Sequence, residues 1–364
     1  MSRFELPIRT DLKGQIPYGA PTDSVPVRLN VNENPYPPSD SVIAAIAQAA
    51  GEAARAINRY PDRDCLNLRA ALASYLELES GLSIDPDRIW AANGSNEIMA
   101  QIFSAFGGPD TCALTFDPTY SMYPEYARDS FTHMVPISRR EDFTIDIEQG
   151  ISVIRERQPN LVIITSPNNP TGTSIPVTEI AELAAAATAV GAVIVVDEAY
   201  AEFRSDRAST ALTLLNEFPN LIVSRTMSKA FGYAGGRVGY CASSTTEIVQ
   251  ALKLVRLPYH LSAISQAAAI AALDFAAESL DRVDQIIRER NKITMQLTAM
   301  GLEVAPSEAN FLLFGKFDDR HAIWEGLLAQ GILIRETGPQ GWLRVSVGTQ
   351  AENEMFIECL RTLV

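Results

Sequence analysis

Lys229 is the residue whose type and surroundings most directly indicate chemistry. It follows an apolar, strand-like run at 221–223, and two hydroxyl residues, Thr226 and Ser228, come just before it. A lysine amine can form an imine with an aldehyde, and hydroxyls together with the guanidinium of Arg237 are suited to bind a phosphate. Pyridoxal phosphate carries both groups, so this segment predicts a site for that cofactor. The alternative is an ordinary surface lysine, which the flanking glycines disfavour without excluding it.

A second candidate is the turn at Gly94 that leads into a helical pattern beginning with Ser95 and Asn96. The free N–H groups and the positive dipole end of a helix N-terminus favour the binding of a phosphate. Serine and asparagine are also common helix caps, so an ordinary cap explains the same residues.

Two further strand ends carry polar residues that suit the ring of the same cofactor. Asp197 follows the apolar run 192–196, where a carboxylate is poorly solvated unless it has a partner such as a pyridinium N–H. Asn169 and Tyr200 could hydrogen-bond to the phenolic oxygen of that ring. Each feature has an ordinary alternative, a helix cap for Asp197 and a plain turn for Asn169. Their joint occurrence at the ends of successive strands favours the cofactor site.

Apolar, β-branched runs alternate with helical patterns over residues 41–254. Runs such as 161–165 are apolar throughout, which is typical of strands buried on both faces of a mainly parallel sheet. Ligands bind beyond the carboxyl ends of such strands, so the four features should meet at one edge. We therefore expect an α/β fold with an extended N-terminal arm at 1–40, a large α/β/α domain at 41–254 and a smaller α+β domain at 255–364, against which the arm packs.

The periodicities also predict individual elements. Helices are expected after a cap at Ser39 or Asp40 and over 66–78, 97–106, 178–189 and parts of 262–300. Strands are expected over 88–92, 113–116, 161–165, 192–196, 221–223, 311–314, 332–334 and 343–347.

The bulk composition excludes several classes of protein. The chain has 364 residues and a formal net charge of -14, which argues against general binding to nucleic acid or to anionic membranes. The four cysteines form no CxxC pair and the three histidines have no metal-ligand spacing, so neither disulfides nor a metal are expected. The N-terminal segment lacks the apolar core of a signal peptide, and no apolar stretch reads as a membrane span. We expect a cytoplasmic protein.

The same motifs resemble those of the fold-type I aminotransferases, which depend on pyridoxal phosphate. The shared motifs are Asn169-Pro-Thr-Gly, Asp197-x-x-Tyr200, Ser228-Lys229 and Arg237. Other segments resemble one branch, the histidinol-phosphate aminotransferases. These segments are Ile-Pro-Tyr at 16–18, Leu-Asn-Val-Asn-Glu-Asn-Pro at 29–35, Asn-Arg-Tyr-Pro at 58–61, Ile-Leu-Ile-Arg at 332–335 and Leu-Arg-Val-Ser-Val-Gly at 343–348. The resemblance covers nearly the whole chain, although relatives acting on aromatic amino acids or threonine phosphate share much of the arm and tail.

The resemblance implies a role for each candidate residue. The catalytic residues would be Lys229, Asp197 and Tyr200. The cofactor would also contact Ser95, Asn96, Tyr120, Asn169, Thr226, Ser228 and Arg237, and Tyr60 would reach the cofactor phosphate of a neighbouring subunit. The substrate would contact Tyr18, Asn32, Arg335 and Arg344. Family members often carry aspartate where Asn96 stands, so this contact differs in charge from the usual one.

The activity that the resemblance implies is transamination between L-histidinol phosphate and 2-oxoglutarate, in histidine biosynthesis, by a homodimer. Lys229 would move the proton at the substrate's alpha carbon, acting as base and then as acid. The fork of Arg344 matches a carboxylate or a phosphate, and Arg335 and Tyr18 would complete an anion pocket. The alternative for Arg335 is a surface salt bridge with Glu336 or another acidic residue.

Other functions stay open at this point. An aromatic-amino-acid aminotransferase would use the same scaffold with a different side-chain pocket. A regulatory protein that binds the cofactor without turnover would be expected to carry a DNA-binding segment, and this acidic chain offers none. A phosphothreonine decarboxylase is a minor possibility. Close to the predicted domain junction, His260 reads as structural rather than catalytic.

Overall fold

The computed structural model describes residues 6–364, in which helices alternate with strands along most of the chain. The strands are β1 Val27–Arg28, β2 Ile89–Ala92, β3 Cys112–Asp117, β4 His133–Ser138, β5 Leu161–Thr165, β6 Val193–Asp197, β7 Leu221–Thr226, β8 Gly239–Ser243, β9 Glu303–Val304, β10 Phe311–Gly315, β11 Ile332–Leu333 and β12 Trp342–Ser346. The helices are α1 Asp40–Ala54, α2 Leu66–Ser80, α3 Ser95–Phe106, α4 Tyr123–Asp129, α5 Ile147–Arg157, α6 Val177–Val190, α7 Thr246–Val255, α8 Ala263–Leu273, α9 Ala276–Ala299, α10 Arg320–Ala329 and α11 Gln350–Arg361.

A 7-stranded sheet with the order β2-β8-β7-β6-β5-β3-β4 forms the centre of the molecule. Adjacent strands from β7 through β4 run parallel, whereas β8 is antiparallel to both of its neighbours. Strands β5 and β7 are buried at every position because helices cover both faces of the sheet. The expected α/β fold of fold type I, with a mainly parallel sheet, is confirmed.

The predicted helices and strands correspond to observed elements, with ends that differ by a few residues. The cap before α1 is Ser39, whose Oγ accepts a hydrogen bond from the Val42 N–H at 3.4 Å. The sequence patterns did not predict β4 or β8. Strand β4 lies at the edge of the sheet with Pro136 within it and exposed positions along it, so it lacks the continuous apolar run of a central strand.

The C-terminal part of the chain builds a second, smaller sheet. Strand β10 lies between β12 and β9 and is antiparallel to both. The arm joins this part through β1, where Val27 pairs in parallel with Ile332 of β11. Helix α8, by contrast, packs against α1 and α2 and contributes to the core beneath the large sheet. The domain boundary near residue 254 remains a proposal.

Within residues 6–364 no single helix is long and apolar enough to cross a membrane. The helices Ala263–Leu273 and Ala276–Ala299 have the required length and composition only when taken together, and the chain bends by 72° between them.

A buried ionic network lies beneath the strand ends that carry the predicted site. Arg225 of β7 contacts Glu198 at 2.8 Å and lies 3.5 and 3.6 Å from Glu79 and Glu202. Arg204 makes a second contact to Glu198 at 2.9 Å. Burial alone would raise the pKa of Glu198, but the two arginines lower that pKa to about 2. The network therefore holds the Glu198 carboxylate in its ionised form directly behind β6 and β7, whereas burial raises the pKa of Glu202 to about 7.

We predict that Arg225→Met destabilises the fold, because it removes the buried cation next to Glu79 and Glu202 and leaves Glu198 with Arg204 alone. Loss of one partner of a buried ion pair costs about 3–5 kcal/mol of unfolding free energy. The control is Lys316→Met, which removes the exposed contact of Lys316 with Glu303 at 2.8 Å and should cost within about 1 kcal/mol. Urea denaturation measures both values, and equal effects would show that the network contributes no more than a surface pair.

Candidate active site

A cavity of about 260 Å³ lies beyond the carboxyl ends of the parallel strands, between the large sheet and the C-terminal part of the chain. Most of the residues predicted from the sequence line it. They are Tyr18, Asn32, Ser95, Asn96, Tyr120, Asn169, Asp197, Tyr200, Thr226, Ser228, Lys229, Arg237, Arg335 and Arg344. Tyr60 is not among the lining residues. Residues from the arm to the last strand thus converge on one volume.

Lys229 lies in the turn after β7, and its ammonium group points toward the arm. Its Nζ donates hydrogen bonds to the backbone carbonyls of Val31 at 3.2 Å and Asn32 at 2.9 Å. Burial and, to a smaller extent, the positive charge of Arg344 together lower the pKa of Lys229 to about 8. About a tenth of the amine is therefore unprotonated at pH 7, and this form is the one that acts as a nucleophile or general base.

Asp197 is the last residue of β6 and is only 5% exposed. Burial raises its pKa to about 6, and a hydrogen bond from the Tyr123 hydroxyl to Oδ2 at 2.8 Å opposes this rise. Within residues 6–364 this carboxylate forms no salt bridge with a lysine, arginine or histidine. A buried carboxylate without a cation is suited to accept a hydrogen bond from a cationic ring N–H brought by a ligand.

The end of the cavity near α3 has the features of a phosphate site. Helix α3 begins at Ser95 and has no side-chain cap, so its first N–H groups are available to a ligand. The turn before it depends on glycine. Gly94 has φ +83°, and a Cβ there would lie 2.5 Å from the Arg237 guanidinium. A Cβ on Gly239 would collide with the backbone nitrogen of Ser95. The ordinary capping of this helix by its own serine or asparagine is not observed.

Hydroxyl and aromatic groups complete this end of the cavity. Thr226 Oγ1 donates to Ser228 Oγ at 3.1 Å, so both hydroxyls face the same volume as Lys229. The Tyr120 hydroxyl donates to Asn96 Oδ1 at 3.3 Å, and burial raises the pKa of this tyrosine. The ring of Tyr120 lies edge-on against Tyr123, with 5.6 Å between the ring centroids.

Arg344 and Arg335 enter the cavity side by side because their backbones pair. Each donates its N–H to the carbonyl of the other at 2.9 Å. The guanidinium of Arg344 donates to Asn169 Oδ1 and to the Asn30 carbonyl, which uses two of its five N–H groups. Its Nε is buried without a partner among the described residues. The remaining donors are therefore available to a carboxylate or phosphate.

The predicted alternative for Arg335, a salt bridge with Glu336, is not formed. Glu336 instead contacts Arg320 at 3.0 Å and His321 at 3.1 Å. Arg335 donates to the Gly19 carbonyl at 3.3 Å and lines the cavity together with Tyr18. Its charge is therefore available at the cavity mouth, as the anion-pocket interpretation requires.

Tyr60 and His260 lie outside this cavity. Tyr60 is 79% exposed, and its ring stacks on Tyr259 with centroids 4.3 Å apart. His260 stacks on Trp90, and its Nε2 lies 2.8 Å from the Ala91 carbonyl oxygen. The position of His260 fits the structural role expected for it, whereas Tyr60 lies on the surface of the chain.

Tyr123 contacts both Asp197 and Thr165 and was not predicted from the sequence. A tyrosine at the start of a short helix, between Pro118 and Pro124, gives no chemical signal by itself. Asn34 was also missed, although its amide donates to the backbone carbonyls of Lys229 at 3.3 Å and Ala230 at 3.1 Å. These contacts join residues that are 74 and more than 190 positions apart.

This combination of fold and site, with a lysine and a buried aspartate across one cavity and an uncapped helix beside it, defines an enzyme site that uses pyridoxal phosphate. A family profile described as "Aminotransferase class I and II" matches residues 24–360. The chain therefore belongs to the class I and II aminotransferases and, by the relatives described next, to their histidinol-phosphate aminotransferase branch.

Two curated relatives are similar over almost their full length. Histidinol-phosphate aminotransferase 3 of Burkholderia lata is 56% identical over 352 residues, which cover 97% of this chain and 94% of that protein. Histidinol-phosphate aminotransferase of Thermobifida fusca is 53% identical over 358 residues, which cover 98% of this chain and 95% of that protein.

Among solved structures, histidinol-phosphate aminotransferase from Sinorhizobium meliloti in complex with pyridoxal-5'-phosphate has a TM-score of 0.83 and 29% identity, and the match covers 93% of this chain and 92% of that one. The histidinol-phosphate aminotransferase from Clostridium acetobutylicum has a TM-score of 0.82 and 25% identity, and the match covers 93% of this chain and 98% of that one.

We predict that Lys229 of the cofactor-free protein reacts with an acylating reagent as an amine of pKa about 8. The labelling rate, measured by peptide mass spectrometry, should rise with pH up to about 8 and then level off. An unperturbed lysine in a reference peptide should continue to rise to about pH 10.4. A Lys229 profile that follows the reference peptide would show that the cavity does not perturb this amine.

Proposed function

We propose that this chain catalyses the pyridoxal-phosphate-dependent transfer of an amino group from L-histidinol phosphate to 2-oxoglutarate, giving imidazole acetol phosphate and L-glutamate. The observation that carries the proposal is the convergence of Lys229, Asp197 and the uncapped start of α3 on one cavity, with Arg335 and Arg344 at its other end. The curated relatives at 53% and 56% identity bear the same activity in their names.

The residues present fit the cofactor. When bound, pyridoxal phosphate supplies an electron sink for charge that develops at the substrate's alpha carbon. The N–H groups of Ser95 and Asn96, the hydroxyls of Thr226 and Ser228 and the guanidinium of Arg237 would hold its phosphate.

Asp197 would hold the ring nitrogen in its protonated form, because a buried carboxylate gains most from a cationic partner. Asn169 and Tyr200 would donate to the phenolic oxygen, and Tyr120 would stack on the ring. Asn169 is suited to this role because its Oδ1 accepts from Arg344, which leaves its amide N–H groups for the cavity.

Lys229 would act as the proton carrier of the reaction. Its amine would remove the proton from the substrate's alpha carbon, as a general base, and would give up a proton again, as a general acid. Burial favours this role since it lowers the pKa of the amine to about 8, close to the operating pH of most enzymes.

The charge distribution of the cavity supports an anionic substrate. Lys229, Arg237, Arg335 and Arg344 line it against two acidic residues, Asp197 and Glu33, whereas the whole chain carries -14. A phosphate ester and a dicarboxylate would each meet local cations here despite the repulsive overall charge. The adjacent guanidinium groups of Arg335 and Arg344 would bind both substrates in turn, since the fork geometry matches either anion.

We also propose that the active unit is a homodimer in which Tyr60 serves the partner's site. Tyr60 is 79% exposed, and Ile57 and Leu257 beside the Tyr60–Tyr259 stack in the sequence are 58% and 73% exposed. Large apolar side chains exposed together favour an interface. The same residue cannot serve its own cavity, which it does not line.

We propose a cytoplasmic location for the reaction. Cys65, Cys112, Cys241 and Cys359 are free thiols, which suits a reducing compartment.

We predict that the ratio of kcat to KM, with 2-oxoglutarate as acceptor, is at least about a hundredfold higher for histidinol phosphate than for phenylalanine, or ~3 kcal/mol of differential transition-state binding. Arg335→Met should reduce the value for histidinol phosphate by about a hundredfold, because a charge-assisted contact to the phosphate is lost. Its effect on phenylalanine should be smaller. Comparable values for the two substrates in the unmodified enzyme would instead indicate an aromatic-amino-acid aminotransferase.

We predict that mixing two inactive variants restores activity if Tyr60 acts across the dimer. Lys229→Ala and Tyr60→Ala chains, unfolded together and refolded, should form hybrids with one complete site and recover about a quarter of wild-type turnover. Each variant refolded alone is the control. Light scattering should report twice the chain mass of 39.7 kDa. No recovery from mixtures that form hybrids would place Tyr60 outside the partner's site.

A further inference from the structure

Asn32 of the arm is bonded in a way that its predicted substrate-binding role does not explain. It is 2% exposed and has φ +55°, in the left-handed region. Its backbone N–H donates to Ser346 Oγ at 2.8 Å, and its side-chain Oδ1 lies 3.1 Å from the same hydroxyl. Its Nδ2 donates to the Tyr200 hydroxyl at 3.0 Å. Both polar atoms of this side chain thus form hydrogen bonds to protein groups.

These contacts have a fixed direction. A serine hydroxyl has one hydrogen, and Ser346 Oγ already accepts from the Asn32 backbone, so its hydrogen is donated to Asn32 Oδ1. This bond orients the amide and leaves Nδ2 facing Tyr200. The Tyr200 oxygen therefore accepts a hydrogen bond from Asn32 of the arm, and the hydrogen of its own hydroxyl must be donated to another group.

The cavity is the remaining direction for that hydrogen. Tyr200 lines the cavity, and within residues 6–364 its hydroxyl has no other hydrogen-bond partner than Asn32. The nearby ammonium of Lys229 is a donor and cannot accept from it; this group lies 5.8 Å from the centre of the Tyr200 ring. The hydroxyl is therefore set to donate to an acceptor oxygen on a bound ligand.

We propose that Asn32 is a positioning residue that, through the chain Ser346–Asn32–Tyr200, fixes Tyr200 as a hydrogen-bond donor into the cavity. The inference rests on the proposed function, in which the phenolic oxygen of the cofactor receives this hydrogen. A donor to an anionic oxygen stabilises its charged form and lowers its basicity. The polarity of one amide on the arm thereby sets the proton affinity of the cofactor linked to Lys229.

Asn32→Asp is the informative substitution because it reverses the direction of the hydrogen bond between position 32 and Tyr200 while the side chain keeps its shape. Asparagine and aspartate both tolerate the left-handed conformation, so the backbone at φ +55° is preserved. A carboxylate at position 32 accepts hydrogen bonds only, so the Tyr200 hydroxyl would donate to it and not to the cavity. Tyr200→Phe is the reference variant, since it removes the donor altogether.

The test is a double-mutant cycle on protein loaded with pyridoxal phosphate. The wild type, Asn32→Asp, Tyr200→Phe and the double variant are titrated with pH, and the visible absorption band of the Lys229-linked cofactor gives a midpoint for each. Tyr200→Phe should raise the midpoint by about one to two pH units, the effect of one hydrogen bond to a charged group. Asn32→Asp should also raise it, and the double variant should match Tyr200→Phe alone.

The double-mutant cycle distinguishes the effect of the hydrogen-bond direction at Tyr200 from the effect of a negative charge at position 32. If a carboxylate at position 32 acted only through its negative charge, its shift would persist in the Tyr200→Phe background, and additive shifts would overturn the proposal. If Asn32→Asp does not fold by circular dichroism, Ser346→Ala replaces it. It frees the amide to flip, so the midpoint should rise less than in Tyr200→Phe and not at all in the Tyr200→Phe background. A Ser346→Ala shift that persists there overturns the proposal.

A failure of the proposed function would give a different result from a failure of the inference about Asn32. If wild-type protein forms no absorption band that depends on Lys229, as judged with Lys229→Ala, the cofactor site itself is misassigned. If the band forms but Tyr200→Phe leaves its midpoint unchanged, Tyr200 does not donate to the cofactor, and the inference about Asn32 is overturned alone.

Discussion

The buried carboxylate of Asp197 is the constraint on which the rest of the site depends. It lies at the end of a strand buried along nearly its whole length, and burial raises its pKa to about 6 despite the hydrogen bond from Tyr123. Keeping such a group ionised is costly unless a cationic partner arrives. Lys229 does not fill that role, because its Nζ is bonded to the Val31 and Asn32 carbonyls instead. The free energy stored in this unpaired acid therefore favours a cationic ring in the cavity between them.

The surrounding fold keeps these groups apart and oriented. The ion network of Arg225 and Glu198 lies behind the ends of β6 and β7, which fixes the strands that carry Asp197 and lead to Lys229. From the opposite side, the arm closes the cavity by pairing β1 with β11 and by placing Asn32 against Tyr200. One element, the arm, thus supplies the acceptors for Lys229 and the donor that orients Tyr200. Neither contact can form unless both parts of the chain are docked.

The sequence predicted the strand ends better than the contacts between them. Asp197 was found because a charged residue directly after a buried apolar run is unusual, and Lys229 was found because two hydroxyl residues and an arginine lie near it in the sequence. Tyr123 and Asn32 were not assigned their observed roles, because each depends on a partner brought close only by the tertiary fold, 74 and 168 positions away. Strand β8 was missed for a related reason. It runs antiparallel to both of its neighbours, so the parallel β–α alternation that revealed β5 and β6 does not apply to it.

The most direct test of the central claim compares wild type and Asp197→Asn in a single half-reaction with histidinol phosphate. Each protein is loaded either with pyridoxal phosphate or with an analogue in which carbon replaces the ring nitrogen. If the buried carboxylate acts by holding a protonated ring nitrogen, the wild type with the natural cofactor should be at least about a hundredfold faster than Asp197→Asn with the same cofactor, a difference of ~3 kcal/mol. With the analogue, the two rates should become nearly equal. A ratio between wild type and Asp197→Asn that is the same for both cofactors would contradict the account.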